Sequence, residues 1–184
     1  MNRNYDGYLL LAGISGLIIL LDQWTKHLVR INIPYTEAWA PWDWLLPYAR
    51  IVHWQNTGAA FGMFQGMNLV FSALAVVVSA AIIYYFPQVP KVDWLVRLAL
   101  AMQLGGAIGN LIDRIRFGAV TDFVSVGSFA VFNVADASLS VGVVVLILGM
   151  WLRERREAKL KQQEAVVPGP EESGSSSSGS SSVE

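Results

Sequence analysis

Residues 118–139 carry the sequence G-A-V-T-D-F-V-S-V-G-S-F-A-V-F-N-V-A-D-A-S-L, which places two carboxylates, Asp122 and Asp136, among apolar residues. No lysine, arginine or histidine lies between them, and residues 137–152 are almost purely apolar. An ionised carboxylate beside hydrocarbon is costly, so such residues generally mark a functional site. Two of them this close together predict proton chemistry, with the rest of the chain as their scaffold.

The composition indicates a membrane protein. Of 184 residues, 54% are hydrophobic and 15% are charged, whereas soluble domains have about 45–50% and about 25%. The net charge of -1 does not predict a nucleic-acid partner. The absence of cysteine excludes disulfides, thiolate zinc sites and cysteine nucleophiles, and two histidines do not favour a histidine-rich metal site. We therefore expect neither a metal nor another cofactor.

Four apolar segments predict transmembrane helices. They are Tyr8–Val29, Met67–Phe86, Trp94–Ile112, and a segment from Ser128 or Phe129 to Leu152. The second contains no charge and matches a hydrocarbon core of about 30 Å at about 1.5 Å per residue. Segment 31–66 instead contains three prolines, four tryptophans and an alternating R-I-V-H at 50–53. Tryptophan favours the membrane–water interface and alternation favours a strand, so this segment predicts an interfacial subdomain with a small sheet.

The predicted topology has both termini on one side of the membrane. Eight cationic residues then lie on the side of the termini and five on the other: Arg3, Lys91, Arg97, Arg153, Arg155, Arg156, Lys159 and Lys161 against Lys26, Arg30, Arg50, Arg114 and Arg116. This bias predicts cytoplasmic termini and places both carboxylates near the outer face. We expect a four-helix transmembrane domain at 1–155, which includes the interfacial segment 31–66, and a cytoplasmic tail at 156–184, charged and then Ser/Gly-rich and disordered.

The carboxylates have two interpretations. Either aspartate could cap a helix, since aspartate is favoured at N-caps and in first turns. This explains Asp136 less well, because the apolar V-F-N-V-A before it should already be helical. Alternatively the two share one site, where one pKa rises; the ionised member takes a proton from water and the protonated member polarises a carbonyl. That arrangement belongs to aspartic proteases and requires no metal.

Several polar residues are spaced to support the pair. Asn133 lies three residues before Asp136 and would share its helix face. Asn110, Asp113 and Arg114 also share one helix face, which is either a solvated helix end or, through Arg114, an anchor for substrate oxygens. These residues are candidates for the same site.

Two further patterns favour structural roles. Asp22 and Lys26 are four residues apart in the first span, and their simplest interpretation is an ion pair. Gly105 and Gly109 have the G-x-x-x-G spacing that lets transmembrane helices pack closely. Neither pattern requires a catalytic role.

Five blocks, taken together and in order, resemble the lipoprotein signal peptidases (signal peptidase II) of bacteria. The blocks are D-Q-W-T-K at 22–26, N-T-G-A-A-F at 56–61, G-G-A-I-G-N-L-I-D-R at 105–114, V-T-D-F at 120–123 and F-N-V-A-D-A at 132–137. The resemblance implies an all-α membrane protein of four transmembrane helices, with a small extracytoplasmic β-cradle and a small interfacial helix. It also implies a location in the bacterial cytoplasmic (inner) membrane.

The resemblance implies an aspartyl endopeptidase that removes signal peptides from prolipoproteins, N-terminal to a diacylglyceryl-modified cysteine. Its catalytic aspartates correspond to Asp122 and Asp136. Its supporting residues correspond to Asn56, Gly106, Asn110, Arg114 and Asn133, with Asp22, Lys26 and Asp113 as stabilising neighbours. The implied partners are diacylated prolipoproteins, membrane lipids and globomycin-type cyclic peptide inhibitors, and no nucleic acid.

A small proton-coupled transporter is the alternative, because transporters also use buried carboxylates as proton relays. A relay should continue toward the opposite membrane face. The second predicted span has no ionisable residue apart from its terminal tyrosines, and the third has only Arg97 near its start. This distribution favours a site facing one surface, and hence the peptidase.

Overall fold

Four long helices form the frame of the protein. The computed structural model describes residues 5–58 and 63–166. The helices are α1 (Tyr5–Asn32), α2 (Asn68–Tyr85), α3 (Trp94–Phe117) and α4 (Val134–Val166), and a 3-10 turn at Phe86–Gln88 follows α2. Each of the four is long and apolar enough to cross a membrane. The four predicted spans are therefore confirmed as helices.

Helix α3 is the central helix of the bundle. More than half of its most apolar stretch is buried inside the protein, against 22% or less in the other three helices. Small residues allow this, and a Cβ added at Gly105 would lie 2.8 Å from the Cβ of Ile18 on α1. The predicted packing role of the G-x-x-x-G spacing is confirmed, because glycine lets the two backbones approach closely.

A three-stranded antiparallel sheet lies beside the helices in the order β1 (Ala38–Trp39), β2 (Ala49–Asn56), β3 (Val120–Val126). The strand predicted at 50–53 lies within β2. Helix α3 ends at Gly118, whose left-handed conformation (φ 72°) lets its N–H donate to the carbonyl of Arg114. The chain then enters β3, so a short connection ties the central helix to the sheet.

The start of the fourth helix differs from the prediction. Helix α4 begins at Val134 rather than at residue 128 or 129. Gly127 turns the chain with a left-handed φ of 52°, and Phe132 pairs with Val124 of β3. These strand-like hydrogen bonds occupy the backbone groups that a helix would use. The expectation that V-F-N-V-A is already helical is therefore wrong for residues 131–133, and holds only for Val134 and Ala135.

Segment 31–66 contributes β1 and β2. Beyond the last two residues of α1, the helical part of its described residues is one 3-10 turn, Asp43–Leu45. Pro41 and Pro47 bracket this turn, which leaves too few residues for a longer helix. Trp42, just before the turn, and Trp44, within it, are exposed and stack with their ring centroids 6.0 Å apart.

The chain divides into two compact units, Met1–Met150 and Trp151–Glu184. In the second unit, the described residues are helical to Val166, with Arg153 Nε 2.8 Å from Glu157 Oε1. The boundary predicted at residue 155 lies within α4. The Ser/Gly-rich stretch predicted to be disordered begins after Val166, outside the described residues.

Candidate active site

A cavity of about 450 Å³ lies between the sheet, the end of α3 and the start of α4. Its polar lining consists of Asn56, Asn110, Arg114, Asp122, Asp136 and Ser140. The remaining wall is largely apolar and includes Val120, Phe129, Val131, Phe132, Leu139 and Val141. Both predicted catalytic carboxylates and three of their predicted neighbours therefore face one cavity, although they come from separate parts of the sequence.

Amide donors hold the two carboxylates. The side chain of Asn133 donates to Asp122 Oδ1 (2.7 Å), and its backbone N–H donates to Asp136 Oδ2 (3.2 Å). Asn56 donates to the other oxygen of Asp122 (3.1 Å), and Asn110 donates to the other oxygen of Asp136 (2.7 Å). Each carboxylate oxygen thus has a donor, and Asn133 connects the pair.

Asp136 also caps α4. The Asn133 side-chain oxygen accepts the backbone N–H of Asp136 (2.9 Å), while the Asp136 carboxylate accepts the backbone N–H of Asn133. This reciprocal pair is a capping box, which satisfies free N–H groups at a helix start. The helix-cap interpretation is confirmed for Asp136 and wrong for Asp122, which lies in β3. The cap fixes the orientation of a carboxylate that also faces the cavity.

The sheet buries Asp122 almost completely, with 2% of the residue exposed. Asp122 lies in β3, outside the spans. Burial raises its pKa to about 7, and the negative charge of Asp136 contributes to the rise. Hydrogen bonds from Asn56 and Asn133, together with the charge of Lys26, act in the opposite direction. Asp122 is therefore able to carry a proton near neutral pH.

A buried charge cluster lies behind the carboxylates. Lys26 Nζ lies 2.8 Å from Asp22 Oδ2 and 3.3 Å from Asp113 Oδ2, and all three side chains are fully buried. Lys26 also donates to Asn110 Oδ1 at 2.9 Å. The predicted Asp22–Lys26 pair is confirmed. A solvated helix end is excluded for Asn110 and Asp113, because both are buried.

The same cluster holds the two elements that carry the carboxylates. Asp22 Oδ1 accepts the backbone N–H of Ala135 in the first turn of α4 (2.9 Å). Asp113 Oδ2 accepts the backbone N–H of Thr121 at the start of β3 (2.9 Å). Each acid thus satisfies a backbone donor next to one of the two site aspartates.

Arg114 brings a positive charge to the cavity wall. Its guanidinium lies over the ring of Phe71, 5.4 Å from the centroid, and donates to the carbonyl of Gly58 (3.3 Å). Gly58 also lines the cavity. A guanidinium in this position suits the oxygens of a bound peptide or lipid.

Gly106 faces α4. A Cβ added to Gly106 would lie 2.6 Å from the carbonyl oxygen of Ala135 and 2.6 Å from Ser138 Oγ. The missing side chain lets α3 and α4 approach next to Asp136. The geometry gives Gly106 a packing role at the edge of the site.

Three further polar residues, Gln23, Arg30 and Ser140, lie in or next to the site and were not predicted to belong to it. Gln23 Nε2 lies 3.0 Å from the carbonyl oxygen of Gly109 and 3.2 Å from a carboxylate oxygen of Asp113. Arg30 donates to the hydroxyl of Thr121. Two of them could have been predicted from helical spacing. Arg30 lies four residues after Lys26, and Ser140 lies four after Asp136, so each shares a helix face with a predicted site residue.

Comparisons with known proteins identify relatives of the whole bundle. Residues 14–152 match the family described as Signal peptidase (SPase) II. The lipoprotein signal peptidase of Halalkalibacterium halodurans is 44% identical over 150 residues, which cover 79% of this chain and 94% of that protein. The lipoprotein signal peptidase of Mesorhizobium japonicum is 37% identical over 165 residues, which cover 85% and 94%.

Solved structures share the fold. A bacterial membrane enzyme solved by the in meso method at 2.3 Å resolution superposes with a TM-score of 0.69 at 25% identity, covering 87% of this chain and 93% of that one. A second, solved by the same method at 1.9 Å, has a TM-score of 0.68 at 26% identity, covering 76% and 91%. The similarity therefore extends over most of the bundle and sheet.

Proposed function

This chain belongs to the signal peptidase II family, and on that premise we propose that it is an intramembrane aspartyl endopeptidase. Family membership identifies a membrane peptidase of lipoprotein processing. The proposed substrate is a diacylglyceryl-modified prolipoprotein, cut at the peptide bond N-terminal to the lipidated cysteine. The proposed catalytic residues are Asp122 and Asp136.

The observation that carries the aspartyl mechanism is the position of Asn133. It donates one hydrogen bond to each carboxylate, so the two acids belong to one hydrogen-bonded unit at one cavity. Two carboxylates in one site do not both ionise readily, and the unit therefore holds a shared proton near neutral pH. An acid and a base side by side are the requirement for peptide hydrolysis without a covalent intermediate.

In the proposed reaction, Asp122 holds the shared proton and Asp136 is ionised. The raised pKa of Asp122 supports this assignment, and Asp136 lies at the N-terminus of α4, where the helix favours negative charge. Asp136 removes a proton from a water molecule, and the oxygen of that water attacks the scissile carbonyl carbon. Asp122 donates its proton to the carbonyl oxygen. The proton on Asp136 then passes to the leaving nitrogen as the C–N bond breaks, and the diol returns a proton to Asp122.

The cavity suits a substrate that is part peptide and part lipid. Arg114 and Asn56 lie on its polar side, where peptide carbonyl oxygens would need donors. Leu139 and Val141 of α4 lie on its apolar side, in a helix that could span the membrane. Membership of the family leads us to propose the bacterial inner membrane as its location. The distribution of cations leads us to propose cytoplasmic termini and a site near the outer face.

The transporter alternative receives less support. The hydrogen bonds of the described site connect Asp136 and Asp122 to Lys26, Asp22 and Asp113, all at the same end of the helices. A relay would need titratable groups leading toward the termini. The α2 segment supplies only its terminal tyrosines, which lie at the opposite end.

The decisive assay combines the purified chain with a diacylated prolipoprotein peptide. We expect cleavage before the lipidated cysteine, inhibition by a globomycin-type peptide, and no cleavage of the unlipidated peptide. Asp122→Asn and Asp136→Asn should each lower kcat/KM by at least about 100-fold, because each removes a proton donor or acceptor. Asp43→Asn, at an exposed acid of the interfacial segment, should remain active.

Two results would contradict the proposal. Near-normal cleavage by either variant would remove that aspartate from the catalytic pair. Failure of the folded wild-type chain to cut the diacylated peptide would overturn the proposed substrate.

A further inference from the structure

A second cavity lies at the other end of the helices. It has a volume of about 190 Å³ and is formed by the start of α1, the turn after α2 and the first turn of α3. Its lining includes Gly7, Tyr8, Gln88, Lys91 and Arg97. Arg97 precedes Asn110 by thirteen residues on α3, which corresponds to about 20 Å along a helix. The cavity is therefore separate from the site of the carboxylates.

Arg97 is the central residue of this second cavity. It is only 7% exposed, yet it lines the cavity. One guanidinium nitrogen donates to the carbonyl of Val89 (3.0 Å), and the group lies 4.4 Å from the ring centroid of Phe86. Neither of these partners carries a formal negative charge. A buried cation generally requires a stronger counterpart, because its burial is costly.

The guanidinium of Arg97 has Gly7 of α1 on one side and lines the cavity. A Cβ added at Gly7 would lie 2.6 Å from the second terminal nitrogen of the guanidinium, so glycine at this position is what allows α1 to pass so close. Lys91 adds a second cation to the lining, and no described lining residue is acidic. Both charged side chains that line the cavity are therefore cationic, whereas the buried acid Asp93, one turn before Arg97 on the chain, does not line it.

We propose that this cavity binds the phosphate of an anionic membrane phospholipid. A guanidinium fork matches phosphate oxygens, and basic pockets between transmembrane helices recognise anionic headgroups. The cavity lies where three apolar helices begin or end, which is the level of lipid headgroups. Its volume equals roughly six water molecules at about 30 Å³ each. That space admits a phosphodiester, while the acyl chains would remain along the outer surfaces of the helices.

The test uses the full chain purified in a neutral detergent. Phosphatidylglycerol and phosphatidylcholine with the same acyl chains are added separately, and inorganic phosphate forms a third arm. Bound lipid is counted by native mass spectrometry, and the shift in Tm is measured in parallel. We expect wild type to retain phosphatidylglycerol in preference to phosphatidylcholine, with a matching rise in Tm. Inorganic phosphate at the same concentration should have a much smaller effect.

Two substitutions distinguish binding of lipid in this cavity from general attraction of anionic lipid to the cationic residues of the protein. Arg97→Gln should weaken phosphatidylglycerol binding about fivefold or more, since one basic residue near a headgroup is worth about that factor. Arg155→Gln, a matched change at an exposed arginine of α4, should leave the preference intact. Peptidase activity of Arg97→Gln should persist and would show that the variant is folded.

Two further variants keep the test decisive if Arg97→Gln does not fold. Lys91→Gln removes the second cation, and Gly7→Ala pushes on the guanidinium; both should lower the preference for phosphatidylglycerol. The proposal is overturned if folded variants keep the wild-type preference, or if wild type shows none. An equal effect of inorganic phosphate would overturn the assignment to a lipid. None of these outcomes depends on the peptidase mechanism.

Discussion

At the scale of single residues, the side-chain amide of Asn110 connects the buried charges to the carboxylates. Its oxygen accepts hydrogen bonds from Lys26 (2.9 Å) and Asn133 (3.2 Å), and its nitrogen donates to Asp136 (2.7 Å). An ammonium group can only donate, so Lys26 determines which side of the amide faces it. Lys26 therefore acts as a positioning residue for the donor at Asp136.

Lys26→Met should lower kcat/KM by about 100-fold, because the Asn110 amide loses the contact that fixes its orientation and small displacements in a site are costly. The variant should also be less stable by about 3–5 kcal/mol, because Asp22 and Asp113 lose their buried counter-ion. Cleavage of the diacylated peptide and thermal unfolding measure the two effects. Lys159→Met, at an exposed lysine, is the matched control.

The double variant Asp22→Asn/Lys26→Met separates orientation from stability. It removes one charge of each sign from the cluster, so the unfolding temperature should recover in part. The low kcat/KM should remain, since no ammonium then faces Asn110. Recovery of full activity would show that Lys26 does not position the amide.

The raised pKa of Asp122 predicts that kcat/KM for cleavage decreases at alkaline pH. Its pKa of about 7 in the folded protein means that it is protonated below that pH and ionised above it. If Asp122 supplies the acid, kcat/KM should be retained below about pH 7 and fall up to tenfold per pH unit above it. Measurements from pH 5 to 9 test this, and a constant kcat/KM across that range would contradict it.

The raised pKa of Asp122 also predicts how the stability of the folded protein changes with pH. An unfolded chain ionises Asp122 near pH 4, whereas the folded protein ionises it near pH 7. Stability should therefore decrease as pH rises from about 4 to about 7, by about 4 kcal/mol at most. Asp122→Asn cannot ionise, so its unfolding temperature should decrease less than that of wild type between pH 5 and 8.

At the scale of elements, the first turn of α4 is held from three directions. The Asn133–Asp136 capping box closes it from within, and Asp22 of α1 accepts the N–H of Ala135. Gly106 of α3 lies against the carbonyl of Ala135. Movement of this turn would move Asp136, because the carboxylate is part of the turn itself.

Gly106→Ala should lower kcat/KM by at least about tenfold while the protein still inserts. The added methyl would lie 2.6 Å from a backbone oxygen, which cannot rotate away, so α4 must shift together with Asp136. Gly16→Ala is the matched control, because a Cβ on that helical glycine meets no atom within 4 Å. Cleavage rates of the two variants at equal amounts of inserted protein provide the comparison. Equal rates would show that Gly106 does not determine the position of Asp136.

At the scale of the whole molecule, the spans were predictable, whereas of the three strands only β2 was. Long apolar runs identify transmembrane helices from composition alone, which located both ends of α1 and α2 to within about three residues, and the start of α3. Helix α3 instead continues to Phe117, past the predicted Ile112, and α4 begins later and ends later than predicted, at Val134 and Val166. Strand β3 is buried on both faces from Val120 to Phe123, so it has no alternation of apolar and polar residues. Asp122 consequently gave no sign in the sequence that it lies in a strand.

Local contacts of the site were predictable, and long-range contacts were not. The four-residue spacing of Asp22 and Lys26 is visible in the sequence, as is the three-residue spacing of Asn133 and Asp136. The contacts of Lys26 with Asp113 and of Asp22 with Ala135 join different helices. Only the packing of α1, α3 and α4 against one another brings those groups together.

Synthesis on the ribosome delivers α1 to the membrane before α3 exists. On scales of translocon insertion, an unpaired acid or lysine costs about 2.5–3.5 kcal/mol at the centre of a span, so each of these residues alone would oppose insertion of α1 by up to that amount. Because Asp22 and Lys26 lie one turn apart on the same helix, each neutralises the other within the nascent segment. The partners on α3 are needed only later. The pairing inside α1 thus lets the helix enter the lipid bilayer as a neutral unit, well before the catalytic pair is assembled by the last helix to emerge.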